Sequence, residues 1–289
     1  LARTSRNIEV NGLKYSVKEI KPSEFDGIDI ALFAGTEGEK GAAVTYAPDA
    51  VKNGAVVIDN GADFRMDPKV PLVIPEVNPG DVKSHKGIIA NPNCSTIQMV
   101  VAINPIHKIS KINRIIATTF QAVSGAGRSA KEELFNQSRC IINKDGSCDC
   151  KVFQKRIAFN VIPHISKFED FDYTTEEWKM VRETHKIMHD DSIKISATAV
   201  RVPLFNGHSE SIYLETEKPL DVDKVREVLR KSKGVIVVDE KIPQDFDPNM
   251  RSYPMPIDAD GKDDVFVGRI RKDPFVKNAL WLWVVADNL

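Results

Sequence analysis

The residue pattern predicts an α/β fold in two parts, and two observations carry that prediction. Over the first ninety residues, short apolar runs end in polar loops, as in residues 28–33 before Ala34-Gly35-Thr36 and residues 55–58 before Asp59-Asn60-Gly61. Buried parallel strands carry such runs and present the loops at their carboxyl ends to ligands. After residue 110 the strands are longer, alternate apolar with polar residues and are joined by short loops. That pattern belongs to a mixed or antiparallel sheet with one face covered by helices. The expectation is a nucleotide-binding, Rossmann-like domain followed by an α+β domain with a mixed sheet.

In chain order, residues 15–17 are a short strand candidate, and residues 40–51 are helical within the limit set by Pro48. Residues 71–74 and 87–90 complete the strands of the first part. Asn91-Pro-Asn93 then breaks the chain, because proline lacks a donor and asparagine tolerates turn geometry. From Cys94 the spacing of Ile97, Val100 and Val101 predicts an amphipathic helix. Residues 112–120 form a β-branched strand that runs into residues 121–127, whose glycines permit close backbone approach. Residues 129–138 are a helix and residues 143–150 a polar, hairpin-like segment. Residues 173–190 form a helix capped by Thr174 or Thr175, with Trp178, Val181, His185 and Met188 as its apolar stripe. Two strands, 193–202 and 211–215, flank the loop that ends in His208. An amphipathic helix at 221–232 and strands at 235–238, 265–270 and 280–285 finish the chain.

Composition excludes several classes of function. The 289 residues suffice for two domains. A net charge of −1 offers no surface for nucleic acid or anionic membranes. No apolar run approaches the roughly 20 residues of a spanning helix. Cysteines 94, 140, 148 and 150 make no disulfide framework, which fits a reducing, cytoplasmic setting. Cys148-Asp-Cys150 lacks the spacer of a zinc knuckle, and His185 with His189 lacks the glutamate of a metalloprotease helix, so no metal is expected. The chain opens on Leu1 in a strand end and closes at Leu289 directly after a strand, so both ends read as cut from something longer.

The chemistry centres on Cys94. At a helix N-terminus, free N–H groups and the helix dipole favour a thiolate, the form that acts as a nucleophile. Covalent catalysis also needs a proton donor or acceptor. His208, in a glycine-containing loop between two strands, is the best placed of the six histidines. Arg201 stands on the strand feeding that loop and suits bidentate recognition of a carboxylate or phosphate.

Four motifs in order, Asp59-Asn60 with Phe64-Arg65-Met-Asp67, Asn91-Pro-Asn-Cys94-Ser-Thr, Gln121-Ala-Val-Ser-Gly-Ala-Gly127 and Arg201-Val-Pro203 with His208-Ser-Glu210, resemble the aspartate-β-semialdehyde dehydrogenase family. The resemblance spans nearly the whole chain. It implies NADP-dependent interconversion of aspartate semialdehyde plus phosphate and aspartyl-β-phosphate through a cysteine thioester, in the biosynthesis of lysine, methionine and threonine. It makes Cys94 the nucleophile, His208 the acid/base and Gln121 the group that orients the acyl carbon. Arg65, Asn93, Glu176, Lys179 and Arg201 become substrate- and phosphate-binding residues. Arg3, Arg6, Thr36, Asn60, Ser124, Gly125 and Asn288 become cofactor contacts. It implies a homodimer or homotetramer, with residues 1–93 as the NADP-binding domain lacking its first βα unit. Residues 94–275 become the α+β catalytic and dimerisation domain, and residues 276–289 return to the first domain.

Glu176 and Lys179 lie opposite the expected stripe of their helix, as a solvated i,i+3 pair would. The family's N-terminal glycine loop is missing, and Ala34-Gly-Thr-Glu-Gly38 replaces its serine-rich loop, so this chain is expected to bind NADP weakly or not at all. The rival readings are an N-acetylglutamyl-phosphate reductase with the same thioester logic, a cysteine hydrolase, and a non-catalytic binder.

Overall fold

The computed structural model of the chain describes every residue except 1–4, 35, 38–39, 147 and 246, and for 36, 37 and 40 the backbone alone. Arg3 therefore lies outside the described residues, as does the side chain of Thr36. The chain divides into two compact units, residues 1–73 with 79–92 and residues 74–78 with 93–289.

In the first unit, β1 (Arg6–Val10) and β2 (Leu13–Val17) form an antiparallel hairpin. Asn11 and Gly12 turn it at φ of 51° and 77°. An Asn-Gly pair suits a hairpin turn in which both central residues have positive φ, and that is the signal by which the missed β1 was legible. Then follow β3 (Ile30–Phe33), β4 (Thr36–Glu37), β5 (Lys40–Gly41), α1 (Ala42–Lys52), β6 (Val56–Asp59) and β7 (Ile88–Ala90). Strands β3, β6 and β7 form a parallel sheet in that order. The strand expected at 71–74 is reduced to one parallel bridge, Leu72 to Ala90, since Pro71 and Pro75 bracket it and proline cannot donate to a ladder. The edge strand β3 is buried on one face only. Ala31 and Phe33 pack with Ala43, Ala47, Ala50 and Val57 of the core, while Ile30 and Leu32 are exposed.

The second unit begins with α2 (Cys94–Ile109), β8 (Ile112–Gln121) and α3 (Arg128–Asn143), followed by α4 (Thr175–Met188), β9 (Lys194–Arg201) and β10 (His208–Thr216). It ends with α5 (Val222–Arg230), β11 (Val235–Val237), α6 (Pro256–Ala259), β12 (Val265–Lys272) and β13 (Ala279–Ala286). The strands form one six-stranded sheet in the order β11-β12-β13-β10-β8-β9. The pairs β8–β9 and β11–β12 are parallel and the rest antiparallel, which makes the sheet mixed. Residues 276–289 do not return to the first unit. Strand β13 sits inside this sheet between β12 and β10, and its Leu280, Leu282, Val284 and Val285 are buried.

Three further expectations need correction. Helix α2 is not amphipathic, because most of it is buried, including Ser95, Thr96, Gln98 and Asn104. The buried face of α4 carries Glu176, Glu177, Met180, Val181, Glu183, Thr184 and Ile187, so of the expected stripe only Val181 is buried. Cys140, in the last turn of α3, forms a disulfide with Cys148 in the segment after the helix, where a hairpin and no disulfide were expected.

The acidic face of α4 is tolerated because its carboxyl groups take backbone donors. Thr174 caps α4 in a capping box with Glu177. The Glu177 Oε2 accepts the Thr174 N–H at 2.6 Å, and its Oε1 accepts the Ala199 N–H of β9 at 2.9 Å. Removing this group strands two donors at once, so Glu177→Ala should lower the free energy of unfolding by about 2–4 kcal/mol. Urea denaturation measures it, and Glu177→Gln, which keeps one of the two acceptor oxygens, should lose about half as much.

Candidate active site

Strand direction assembles the site. β8 runs parallel to β9 and antiparallel to β10, which brings the ends of β8 and β9 and the start of β10 to one edge. Gln121 stands opposite Arg201 in register, and His208 opens β10 beside them. All three side chains are buried.

Cys94 is the first residue of α2 and is partly exposed. Asn93 caps the helix in extended conformation, its Oδ1 accepting the Ser95 N–H at 3.1 Å and the Thr96 N–H at 3.4 Å. Its Nδ2 donates to Glu176 Oε1 at 3.0 Å. Gln121 Nε2 lies 2.8 Å from Ser95 Oγ, 3.2 Å from Thr119 Oγ1 and 3.3 Å from Glu176 Oε1. Lys179 Nζ completes the cluster at 3.0 Å from Glu176 Oε2. Glu176 is buried rather than on a solvated face, and its side chain is only 6% exposed. Burial pushes its carboxyl pKa up, but the Lys179 charge and hydrogen bonds from Lys179, Asn93 and Gln121 outweigh that and hold it low.

Ala122 orients the other two groups through its backbone. Its N–H donates to His208 Nδ1 at 3.1 Å, and its carbonyl accepts from Arg201 Nη1 at 2.7 Å. Burial, reinforced by the Arg201 charge, pushes the His208 pKa down to about 3. The ring is therefore neutral, and with Nδ1 accepting, its hydrogen belongs on Nε2. That Nε2 has no partner among the described residues. Burial also lowers the Arg201 pKa, against the opposing pull of Glu176 and Cys94. Its guanidinium lies 6.0 Å from the centroid of the Phe153 ring. A Cβ on Gly125 would stand 3.1 Å from Arg201 Nη1 and 3.4 Å from His208 Nε2, so only glycine leaves the space before both groups open.

Beside them, Asn288 Oδ1 accepts from Ser124 Oγ at 3.0 Å and from the Gly207 N–H at 3.1 Å. With the carbonyl end fixed, Asn288 Nδ2 is a buried donor with no partner among the described residues. A carboxamide oxygen, such as nicotinamide carries, fits that donor.

The remaining expected residues belong to the first unit. Arg65 is buried and donates from Nη2 to the Asn60 carbonyl at 3.1 Å. Asn60 is exposed and accepts from Asn91 Nδ2 at 2.6 Å. Arg6 is exposed on β1. Sequence reasoning missed Ser95, Thr119 and Ala122, which touch site residues, and it missed Glu183, whose Oε2 accepts the Asn93 N–H at 2.7 Å. Small polar residues and a mid-helix glutamate carry no local signal of this kind. Among the described residues no cluster of histidine, cysteine and acidic side chains could hold a metal.

Comparison with known proteins follows the same division. The family model described as semialdehyde dehydrogenase, NAD binding domain, matches residues 3–85, and that described as semialdehyde dehydrogenase, dimerisation domain, matches residues 103–289. The aspartate-semialdehyde dehydrogenase of Aquifex aeolicus is 53% identical over 282 residues, covering 96% of this chain and 80% of the relative. That of Bacillus subtilis is 48% identical over 293 residues, covering 98% and 81%. The crystal structure of aspartate semialdehyde dehydrogenase II complexed with ASA from Vibrio cholerae aligns with a TM-score of 0.88 at 41% identity, covering 98% of this chain and 81% of that one.

The buried histidine makes stability depend on pH. Between its folded value of about 3 and the ordinary 6.5, His208 binds a proton only in the unfolded chain. Its contribution is complete above pH 6.5 and is lost as pH falls toward 3. The melting temperature of His208→Asn should therefore fall less steeply than that of the parent between pH 7 and pH 5, measured by scanning calorimetry.

Proposed function

The chain belongs to the aspartate-semialdehyde dehydrogenase family, and from that premise we propose that it interconverts aspartate semialdehyde plus phosphate and aspartyl-β-phosphate through a thioester on Cys94, with NADP as cofactor. The observation that carries this reading is that a buried histidine and a buried arginine meet where β8 and β9 end and β10 begins, and that Gln121 reaches from the same place to Ser95, next to the helix-capped Cys94. Cys94 as thiolate adds to the aldehyde carbon, and the carbonyl oxygen takes on negative charge. His208 donates from Nε2 to that oxygen, an oxyanion-stabilising role that its resting tautomer suits. The acid/base role expected of it thus begins as hydrogen-bond donation.

Arg201 pairs with the substrate α-carboxylate, and Glu176 receives its ammonium group. Gln121, anchored on Ser95 and Thr119, orients the acyl group. A bound nicotinamide supplies the hydride acceptor in one direction and the donor in the other. Asn288 and Ser124, with Gly125, would hold its carboxamide end. Cys94 carries the acyl group as a thioester between the half-reactions. Phosphate then attacks the thioester carbon, the C–S bond breaks, and the thiolate returns. Lys179 provides positive charge for the phosphate, and Arg65 is the anion-binding residue of the first unit.

The 2′-phosphate of NADP offers an exposed arginine such as Arg6 a partner that NAD lacks. The reaction feeds lysine, methionine and threonine synthesis, and the protein works as a homodimer or homotetramer, of which the dimerisation-domain match supports the dimer.

The test is reduction of NADP by aspartate semialdehyde, measured at 340 nm with and without phosphate or arsenate. The rate should require the oxyanion, fall with NAD in place of NADP, and drop on the order of 10³-fold or more in Cys94→Ala. Arg201→Lys should retain the fold and raise KM for the semialdehyde, because a point charge replaces the planar fork. Aldehyde-independent ester hydrolysis, or binding without turnover, would instead favour a hydrolase or a binder.

A further inference from the structure

Asn93 has an unusual number of obligations for one residue. Its N–H donates to Glu183 Oε2 at 2.7 Å, its Nδ2 to Glu176 Oε1 at 3.0 Å, its Oδ1 accepts from Ser95 and Thr96, and its carbonyl accepts the Ile97 N–H at 2.9 Å. Every polar atom of the residue is engaged. Two of the five hydrogen bonds are accepted by carboxyl groups of one helix, α4, seven residues apart and both buried. Cys94 follows by a single peptide bond, so the orientation of Asn93 fixes where the thiol leaves the backbone.

We propose that Glu183 is a positioning residue for Cys94, acting through Asn93. This rests on Cys94 being the nucleophile of the proposed reaction. Glu183 is 1% exposed and stands in mid-helix. A buried carboxyl group is an expensive way to fill space, since an apolar residue there would carry no desolvation cost. Placing it pairs a donor that precedes the nucleophile. An acceptor here also lies at the positive end of α2, where negative charge is favourable. Glu176 holds the Asn93 side chain and the Ile97 N–H holds its carbonyl. Glu183 holds the remaining backbone group, the N–H of the peptide that enters Asn93, and so fixes the entry side of the cap.

The test compares Glu183→Ala, Glu183→Gln and Glu183→Asp in the full chain. Three quantities are measured: steady-state kinetics, the melting temperature, and the rate at which iodoacetamide alkylates Cys94, followed by peptide mass. Glu183→Ala should lose about tenfold to a hundredfold in kcat, the scale of a small misplacement of a reacting group. KM for semialdehyde and cofactor should stay within about twofold, since the misplaced group reacts but does not bind substrate. Alkylation should slow in parallel. Glu183→Gln keeps an acceptor oxygen at the same reach and should recover most of the kcat and the alkylation rate. Glu183→Asp, one methylene shorter, should resemble Glu183→Ala.

A folded Glu183→Ala with parental kcat and alkylation overturns the proposal. So does a Glu183→Gln that loses kcat as fully as Glu183→Ala, or losses in all variants that only follow the fall in melting temperature. If Glu183→Ala fails to fold, the Gln and Asp pair decides the matter by the same criteria. Retained turnover in Cys94→Ala would sink the nucleophile itself, a result separate from anything seen at Glu183.

Discussion

The second unit depends on the pairing of buried carboxyl groups with backbone donors. Glu177 takes the N–H groups of Thr174 and Ala199, which ties the start of α4 to β9. Glu183 takes that of Asn93, which ties its middle to α2. Buried N–H groups at helix starts and strand edges have to find acceptors. Supplying them from one helix turns a stability requirement into a positioning device. The same helix contributes Glu176, so the element that holds the framework also delivers a charge to the site.

Sheet topology does the equivalent work on the opposite side. An all-antiparallel arrangement would put the end of β9 at the far edge from the end of β8. The parallel β8–β9 pair puts Gln121 and Arg201 in register, and the antiparallel β10 returns His208 to the same place. Ala122, the residue after β8, then uses both of its backbone groups, the N–H for His208 and the carbonyl for Arg201. No side-chain chemistry is asked of that position, and sequence reading had no reason to mark it.

Legibility follows from that difference. Cys94 was readable because a turn followed by a helix is a local pattern, and the mixed sheet was readable because alternation has a fixed period. Helix α4 was misread because the argument from periodicity treats glutamate as a surface residue. Glu176, Glu177 and Glu183 are buried, and their partners lie on β9, α2 and β8, far away in sequence. The burial of α2 was missed for the same reason, since Ser95, Thr96 and Gln98 read as a polar face but are enclosed. Assigning β13 to the first unit failed because a strand's sequence does not say which sheet it joins. The roles of Glu176 and Lys179 came from the resemblance, not from any local pattern.

Burial does not by itself decide which groups at the site are charged. Glu176 and Glu210 are both buried acids, yet their carboxyl pKa values move in opposite directions. For Glu210 burial dominates and raises the value far above the ordinary range, opposed only by the Gln98 amide. That opposition is weak because no well-formed hydrogen bond joins them: Gln98 Nε2 and both Glu210 oxygens lack partners among the described residues. Glu176 meets the same penalty but has the Lys179 charge and three donors against it. His208, two residues from Glu210 on β10, is driven neutral by burial with the Arg201 charge beside it. Partners therefore set the charge pattern, and depth sets only what those partners must overcome. A charged Glu176 beside Lys179 and Arg201 can meet a zwitterionic substrate, while a neutral His208 keeps its Nε2 hydrogen available to a developing oxyanion.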